Sequence, residues 1–202
     1  MKSVELNGIE VQPTKIVCIG RNYVEHIQEL NNEMPTEPVV FIKPNSSISN
    51  NINTSKIEEI HYEGEICFLI KYGKISGVGF GLDLTKRSLQ TTLKSKGLPW
   101  ERAKSFDKSA VFSEFVECND IQSYKMELYI NDHLKQSANY QLMIHKPEVL
   151  LKEINSFLTL EDSDIIMTGT PKGVGVINSG DKFTGKILCG ENVIIEKSWE
   201  AQ

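Results

Sequence analysis

The sequence predicts an α+β fold that is mainly β, and three observations carry the prediction. The apolar runs are short and closed by glycine or proline, as in Lys15–Gly20 and Glu37–Pro44, which suits strands. Tyr124–Ile130 alternates polar and apolar residues ahead of Asn131-Asp132, the pattern of a strand entering a turn. Few stretches carry helical spacing, and none alternates regularly with strands, so a doubly wound parallel sheet is not expected.

Taken in order, Met1–Thr14 reads as an N-terminal extension or first strand, and Lys15–Gly20 as a buried strand. Val24, Ile27 and Leu30 recur every three residues, enough for one to two helical turns. Prolines bracket Glu37–Pro44, which marks a short or edge strand, and Asn45–Ser55 is an Asn/Ser-rich loop. His61–Tyr72 and Gly77–Leu84 are the next strands. Thr85–Lys96 reads as a helix, with Leu89 and Leu93 four apart and Gly97 as its stop. A strand pair is expected around Asn131-Asp132. Pro147 opens a helix through Leu158 whose apolar stripe is Leu150, Ile154, Phe157 and Leu158. Asp164–Pro171 is a strand running into a turn, Asn178–Asp181 is another turn, and strands near 182–188 and 192–197 close the chain. With no repeat and no linker, residues 1–202 are expected to form a single domain.

Composition narrows the function classes. Acidic residues number 27 against 22 basic ones, a net charge of −5, so no basic footprint points to nucleic acid. No apolar run reaches the ~20 residues of a membrane span, and no apolar core of a signal peptide opens the chain; no membrane partner is expected. Cys18, Cys67, Cys118 and Cys189 lack zinc-ligand spacing. They read as reduced thiols, and the expected location is cytoplasmic.

The chemistry concentrates in carboxylates. Glu63 and Glu65 lie two apart within an apolar strand segment, so both face one side of a strand. Burying two like charges costs several kcal/mol apiece unless they are neutralised. A divalent cation with a preference for oxygen ligands would neutralise them. Asp83, in the glycine-rich segment Gly79–Leu84, is placed to supply a third oxygen if the two strands pair. The same Glu-x-Glu pattern also suits the solvated face of a half-exposed sheet, and Asp83 suits a turn or cap. His26 and Glu29, three apart on one helix face, form a pair able to activate a water, or an ordinary solvated face. Thr168-Gly169-Thr170-Pro171 offers hydroxyls and backbone N–H groups to an anion, or is an ordinary turn. Gly-x-Ser-x-Gly, HExxH, a P-loop and GxGxxG are all absent.

In order, Ile19–Tyr23, Glu37–Pro44, His61–Ile66, Leu82–Thr85, Lys96–Trp100, Ala103–Asp107 and Asp164–Gly175 resemble the fumarylacetoacetate hydrolase superfamily, specifically its small single-domain members. The resemblance covers the chain from about Lys15 onward. It implies a β-sandwich roll, a Mg²⁺ or Mn²⁺ ion held by Glu63, Glu65 and Asp83, and an active-site lysine at Lys104. It implies substrate contacts from Arg21, Arg87, Gln90 and the turn Thr168, Gly169 and Thr170. It places His26 and Glu29 as the histidine–glutamate pair of a lid helix, and it suggests a homodimer. The implied activity is metal-dependent cleavage of a C–C bond in a small 2-oxo acid, of the acylpyruvate hydrolase or oxaloacetate decarboxylase type, through a stabilised enolate. The alternatives are oxaloacetate keto–enol tautomerisation, 2-hydroxyhepta-2,4-diene-1,7-dioate isomerisation, or a catalytically weak relative kept as a binding protein. Three departures bear on this. Gly64 stands where an aliphatic residue is usual and is expected to loosen the strand. Lys86 and Ser88 replace the usual neighbours of Arg87, removing an acidic partner. The stretch Lys71–Gly77 is also shorter than usual.

Overall fold

Short strands dominate the computed structural model, which describes residues 1–30, 33–55 and 57–202. Among the described residues the largest sheet runs, edge to edge, through Ile9–Val11, Val4–Leu6, Ala110–Glu117, Lys74–Asp83, Gly64–Lys71, Ile165–Met167, Lys15–Gly20 and Val39–Pro44, with Ile48–Ser49 pairing to Ala110–Glu117. It is mixed: Lys15–Gly20 runs parallel to Ile165–Met167, and antiparallel to Val39–Pro44. An antiparallel sheet of His133–Asn139, Tyr124–Ile130, Lys182–Cys189 and Asn192–Glu200 lies against it. Three short strands, Gly175–Val176, Ile60–Tyr62 and Thr85–Lys86, form a third sheet. The main core joins Phe68, Phe80 and Leu82 of the large sheet to Met126, Leu128, Phe183 and Trp199 of the second. This is the mainly-β sandwich roll that the sequence predicts, and it is among the folds that bury two facing sheets.

Local sequence explains most elements. Residues of Tyr124–Ile130 are alternately buried and half-buried, as a strand with one face on the core requires. Asn131 and Asp132 both adopt left-handed φ, 51° and 63°, between the paired residues Ile130 and His133, the geometry of a two-residue hairpin turn. Pro147 sits in the first turn of helix Pro147–Asn155. That helix buries Leu150 and Ile154, but it ends before Phe157, which is 58% exposed; the expected stripe overran the helix. The expected helix over Thr85–Lys96 is Arg87–Ser95, because Thr85–Lys86 pairs as a strand with Ile60–His61.

The segment expected as an N-terminal extension or first strand is a two-stranded hairpin, and two further elements carry no expectation from sequence. Asn7-Gly8 turns the N-terminal hairpin Val4–Leu6/Ile9–Val11, with φ of 48° and 78°; an Asn-Gly pair is itself a hairpin signal. Ala110–Glu117 is an interior strand of the large sheet, and Glu101–Lys104 is a single helical turn. The cysteines are free; Cys18 and Cys67 are buried, while Cys118 and Cys189 are half-buried. No helix among the described residues is long and apolar enough to cross a membrane.

Candidate active site

The two glutamates do not share an uninterrupted strand. Regular pairing breaks at Glu63, between Ile60–Tyr62 and Gly64–Lys71. The backbone nevertheless continues beside Lys74–Asp83: Asp83 N donates to Glu63 O at 2.8 Å, and Glu65 lies opposite Gly81. Carboxylate oxygens of Glu63, Glu65 and Asp83 all come within 4.8 Å of one another, and all three residues are buried. The strand pairing on which the third ligand depended is therefore present.

Cations compensate this cluster unevenly. Lys104, on the single turn Glu101–Lys104, donates to Glu63 Oε2 and Asp83 Oδ2, both at 2.8 Å, and to Thr85 Oγ1 at 2.6 Å. Arg87, at the start of helix Arg87–Ser95, pairs with Glu63 Oε1 and donates to Gln90 Oε1 at 2.7 Å. Glu63 and Gln90 thus orient Arg87 although Ser88 offers it no carboxylate, and Lys86 is drawn off to Glu58 at 2.9 Å. Lys43 is fully buried, with Nζ in an ion pair 2.9 Å from Asp83 Oδ1. It also donates to Ser109 Oγ at 2.9 Å and to the carbonyls of Leu84 and Lys104.

Protonation follows from these contacts. Burial pushes Glu63 up, but Lys104 and Arg87 outweigh it and hold the carboxyl well below the usual carboxylate range. Burial pulls the Lys104 ammonium down, yet Asp83 and Glu63 keep it above the usual lysine range. Glu65 goes the other way. Burial, then Asp83, then Glu63, push its carboxyl well above the usual range. Its Oε2 accepts one backbone hydrogen bond, from Gly169 N at 2.7 Å.

That asymmetry tests the fit of a metal. A 1% exposed glutamate facing two other carboxylates, with one oxygen of each of the three within 4.8 Å of the others, gathers oxygen donors around one place. Such a set suits a hard divalent cation of the Mg²⁺ or Mn²⁺ class. Glu63, Glu65 and Asp83 fit that role.

A cleft of about 450 Å³, counted with its open mouth, adjoins the cluster. Of the residues expected in the site, it is lined by Arg21, His26, Glu63, Arg87, Gln90, Lys104 and Thr170. Arg21 adopts a left-handed φ of 57° at the end of Lys15–Gly20, a conformation that costs a non-glycine residue roughly 1–2 kcal/mol. The next residue, Asn22, is fully buried and bridges the Thr168 carbonyl (2.8 Å) to both backbone groups of His145. His26 is buried on helix Val24–Glu29, with Nδ1 3.3 Å from Glu29 Oε2. Burial pulls its ring below the usual histidine range, against the opposing pull of Glu63 and Glu29, so it is neutral at pH 7.

Thr168 and Thr170 sit differently from the anion-binding expectation. The Thr168 hydroxyl donates to Ile66 O at 2.8 Å, and the Thr170 hydroxyl donates to Gly64 O at 2.9 Å. A hydroxyl has one proton to donate, so in this arrangement neither is left to donate to a substrate carboxylate. The turn instead holds the acidic segment, Gly169 N reaching Glu65 itself. Sequence reasoning also passed over Lys94, which lines the cleft two turns along the helix from Arg87. The signal was available: residues 87, 90 and 94 fall on one helical face.

The fumarylacetoacetate (FAA) hydrolase C-terminal family model matches residues 15–195. This chain belongs to the fumarylacetoacetate hydrolase family. Among relatives in this family, it is 36% identical over 190 residues to oxaloacetate tautomerase YcgM of Escherichia coli, covering 85% of this chain and 87% of that one. It is 37% identical over 196 residues to the mitochondrial oxaloacetate decarboxylase of Dictyostelium discoideum, covering 87% and 88%. The crystal structure of a candidate fumarylacetoacetate isomerase/hydrolase from Oleispira antarctica superposes with a TM-score of 0.95 at 35% identity over the whole of both chains.

Proposed function

We propose that this protein is a divalent-metal-dependent enzyme acting on oxaloacetate, with keto–enol tautomerisation as its reaction. The observation that carries the reading is the cleft itself: Glu63 of the buried carboxylate trio lies in its wall, and the cationic side chains Arg21, Arg87, Lys94 and Lys104 stand along its lining. Such a lining attracts a small dianion. The relative from Escherichia coli named oxaloacetate tautomerase supports the substrate and the reaction.

Glu63, Glu65 and Asp83 would hold Mg²⁺ or Mn²⁺, which when bound supplies Lewis acidity for negative charge at the enolate oxygen. The residues of the chain do the rest. Arg87 and Lys104, already fixed by Glu63, Gln90 and Thr85, offset charge as the enolate develops, and cost no reorganisation. Neutral His26 acts as the general base that takes a proton from C3 of oxaloacetate and delivers it to the oxygen on C2, or the reverse, with Glu29 holding its Nδ1. Half-buried Arg21 and Lys94 meet the substrate's second carboxylate.

The second reading is C–C cleavage, decarboxylation or acylpyruvate hydrolysis, from the same enolate. The His26–Glu29 pair and the relative named oxaloacetate decarboxylase favour it. One assay separates the two: decay of enol-oxaloacetate absorbance with Mg²⁺ present, with pyruvate and CO₂ measured alongside. Tautomerisation removes the enol without matching pyruvate, and His26→Ala slows it by about 10²–10⁴-fold. Pyruvate formed one for one with oxaloacetate lost would replace the first reading by the second. No acceleration of either process, and no pyruvate released from an acylpyruvate offered in the same way, would defeat both.

A further inference from the structure

Strand His133–Asn139 of the second sheet is largely exposed, but Gln136 points inward and is 1% exposed. An amide buried at such a position is costly unless hydrogen-bonded, and this one is well satisfied. Its Oε1 accepts from Gly64 N at 2.8 Å, the residue between Glu63 and Glu65. Its Nε2 donates to Thr170 Oγ1 at 2.9 Å, to Pro171 O at 3.0 Å and, more weakly, to Lys172 O at 3.4 Å. Thr170 closes the ring by donating to Gly64 O.

Gly64 packs closely against this amide. A Cβ there would lie 3.0 Å from Gln136 Oε1, 3.1 Å from Met126 Cε and 3.3 Å from Leu128 Cδ2. The bare backbone leaves room for the amide that holds the acidic segment. Beyond Lys172, Gly173 has a φ of 98° and packs so closely on Lys135 O that a Cβ would sit 2.2 Å from it. Gly173 N donates to both oxygens of Glu29, at 3.0 and 3.2 Å, and Lys172 pairs with Glu25 at 3.0 Å. One side chain therefore lies at the junction of the acidic segment and the turn on which the His26 helix rests.

We propose that Gln136 is a positioning residue: it locks the backbone between Glu63 and Glu65 to the Thr168–Gly173 turn, setting the geometry of the carboxylate trio and the seat of the His26 helix together. The inference rests on the metal-dependent reading above and adds to it a residue from the opposite sheet that touches neither ion nor substrate.

The test compares Gln136→Leu and Gln136→Glu, of similar volume, with Leu150→Ala, which empties a buried position on the remote helix Pro147–Asn155. Mn²⁺ affinity is measured by titration calorimetry, and melting temperature is recorded in a chelator. Both Gln136 variants are expected to bind Mn²⁺ about 10–100-fold more weakly, as for other groups that orient metal ligands. Leu150→Ala is expected to melt lower while keeping wild-type affinity. Gly64→Ala, which crowds the amide without removing it, is expected to weaken Mn²⁺ in the same way and decides the matter if neither Gln136 variant folds. Affinity within about twofold of wild type in the folded variants, against the loss expected of such a group, overturns the proposal, as does an equal loss in Leu150→Ala. A wild-type protein that binds no Mn²⁺ overturns the metal reading itself, a distinguishable result.

Discussion

Two buried carboxylates, Glu65 and Asp164, show what burial alone does not reveal. Asp164 is 0% exposed. Its Oδ1 accepts from Thr14 N (2.9 Å), Thr14 Oγ1 (2.8 Å) and Lys15 N (3.0 Å), and its Oδ2 from Lys15 Nζ and Glu161 N (2.9 Å). Burial pushes its carboxyl up, but Lys15, the Glu161 amide and Thr14 bring it below the usual aspartate range. Glu65 is as deeply buried, accepts from one amide, faces two other acids and is pushed up. The first carboxylate is a structural knot that joins Lys15–Gly20 to the start of Ile165–Met167. The second has coordination capacity left over. Unmet demand, not burial, distinguishes a site from a tie.

The contrast can be broken most sharply by removing each charge. Glu65→Gln should lower activity by at least about 100-fold, the scale of losing a preorganised electrostatic group, while metal-free stability stays level or rises because a poorly compensated charge has gone. Wild-type protein should gain about 2.7 kcal/mol from Mg²⁺ at 100 times its Kd, and the variant much less, read as the shift in melting temperature between Mg²⁺ and chelator. A Glu65→Gln protein still stabilised like wild type would erase the distinction.

Asp164→Ala should do the reverse. Losing hydrogen bonds to a charged acceptor, and leaving Lys15 without its partner, should cost about 2–4 kcal/mol in urea unfolding, with turnover per folded molecule largely kept. Asp164 also sets a pH dependence. Its folded value lies below its unfolded one, so the unfolded chain binds the proton more tightly. Its contribution is then present above the unfolded value near 3.8 and is lost as pH falls through the lower folded value. Acid unfolding of wild type should therefore be steeper across that window than that of Asp164→Ala, measured by circular dichroism.

The smallest effect sharpens the cleft end of the comparison. Burial, together with the nearby charges of Arg21 and Arg87, lowers Lys94 from the usual lysine range, the mark of cations gathered around one space. Lys94→Gln should raise KM for oxaloacetate about tenfold, some 1.4 kcal/mol, with kcat nearly unchanged and a weaker dependence on salt. An unchanged KM would remove Lys94 from the substrate's path.

Much of this was legible from residue order. The turns at Asn131-Asp132 and Asn178–Asp181, the alternation of Tyr124–Ile130 and the proline that opens the Pro147 helix are local, and local sterics decide them. Glu63, Glu65 and Asp83 stood out because acids inside apolar strands need a reason to be there, but that pattern suited a solvated face or a cap as well; their role as ligands, like the places of Arg87, Gln90 and Lys104, followed from motif resemblance. The break at Glu63 was not legible, since it depends on Ile60–Tyr62 leaving to pair with Thr85–Lys86 and Gly175–Val176. Phe157 misled because a helical stripe does not announce its last turn.

By itself the sequence determined the mainly-β class, the positions of most strands and turns, and the list of charged groups from which a site is built. Only the tertiary structure decided how their hydrogen-bonding capacity is spent. It assigns the hydroxyls of Thr168 and Thr170 to the backbone, sends Lys43 to Asp83, and brings Gln136 to Gly64 from 72 positions away. The reason is physical. Periodicity and turn chemistry act between neighbours in the chain, whereas satisfaction of a buried polar group depends on whichever strand the sheet order places beside it.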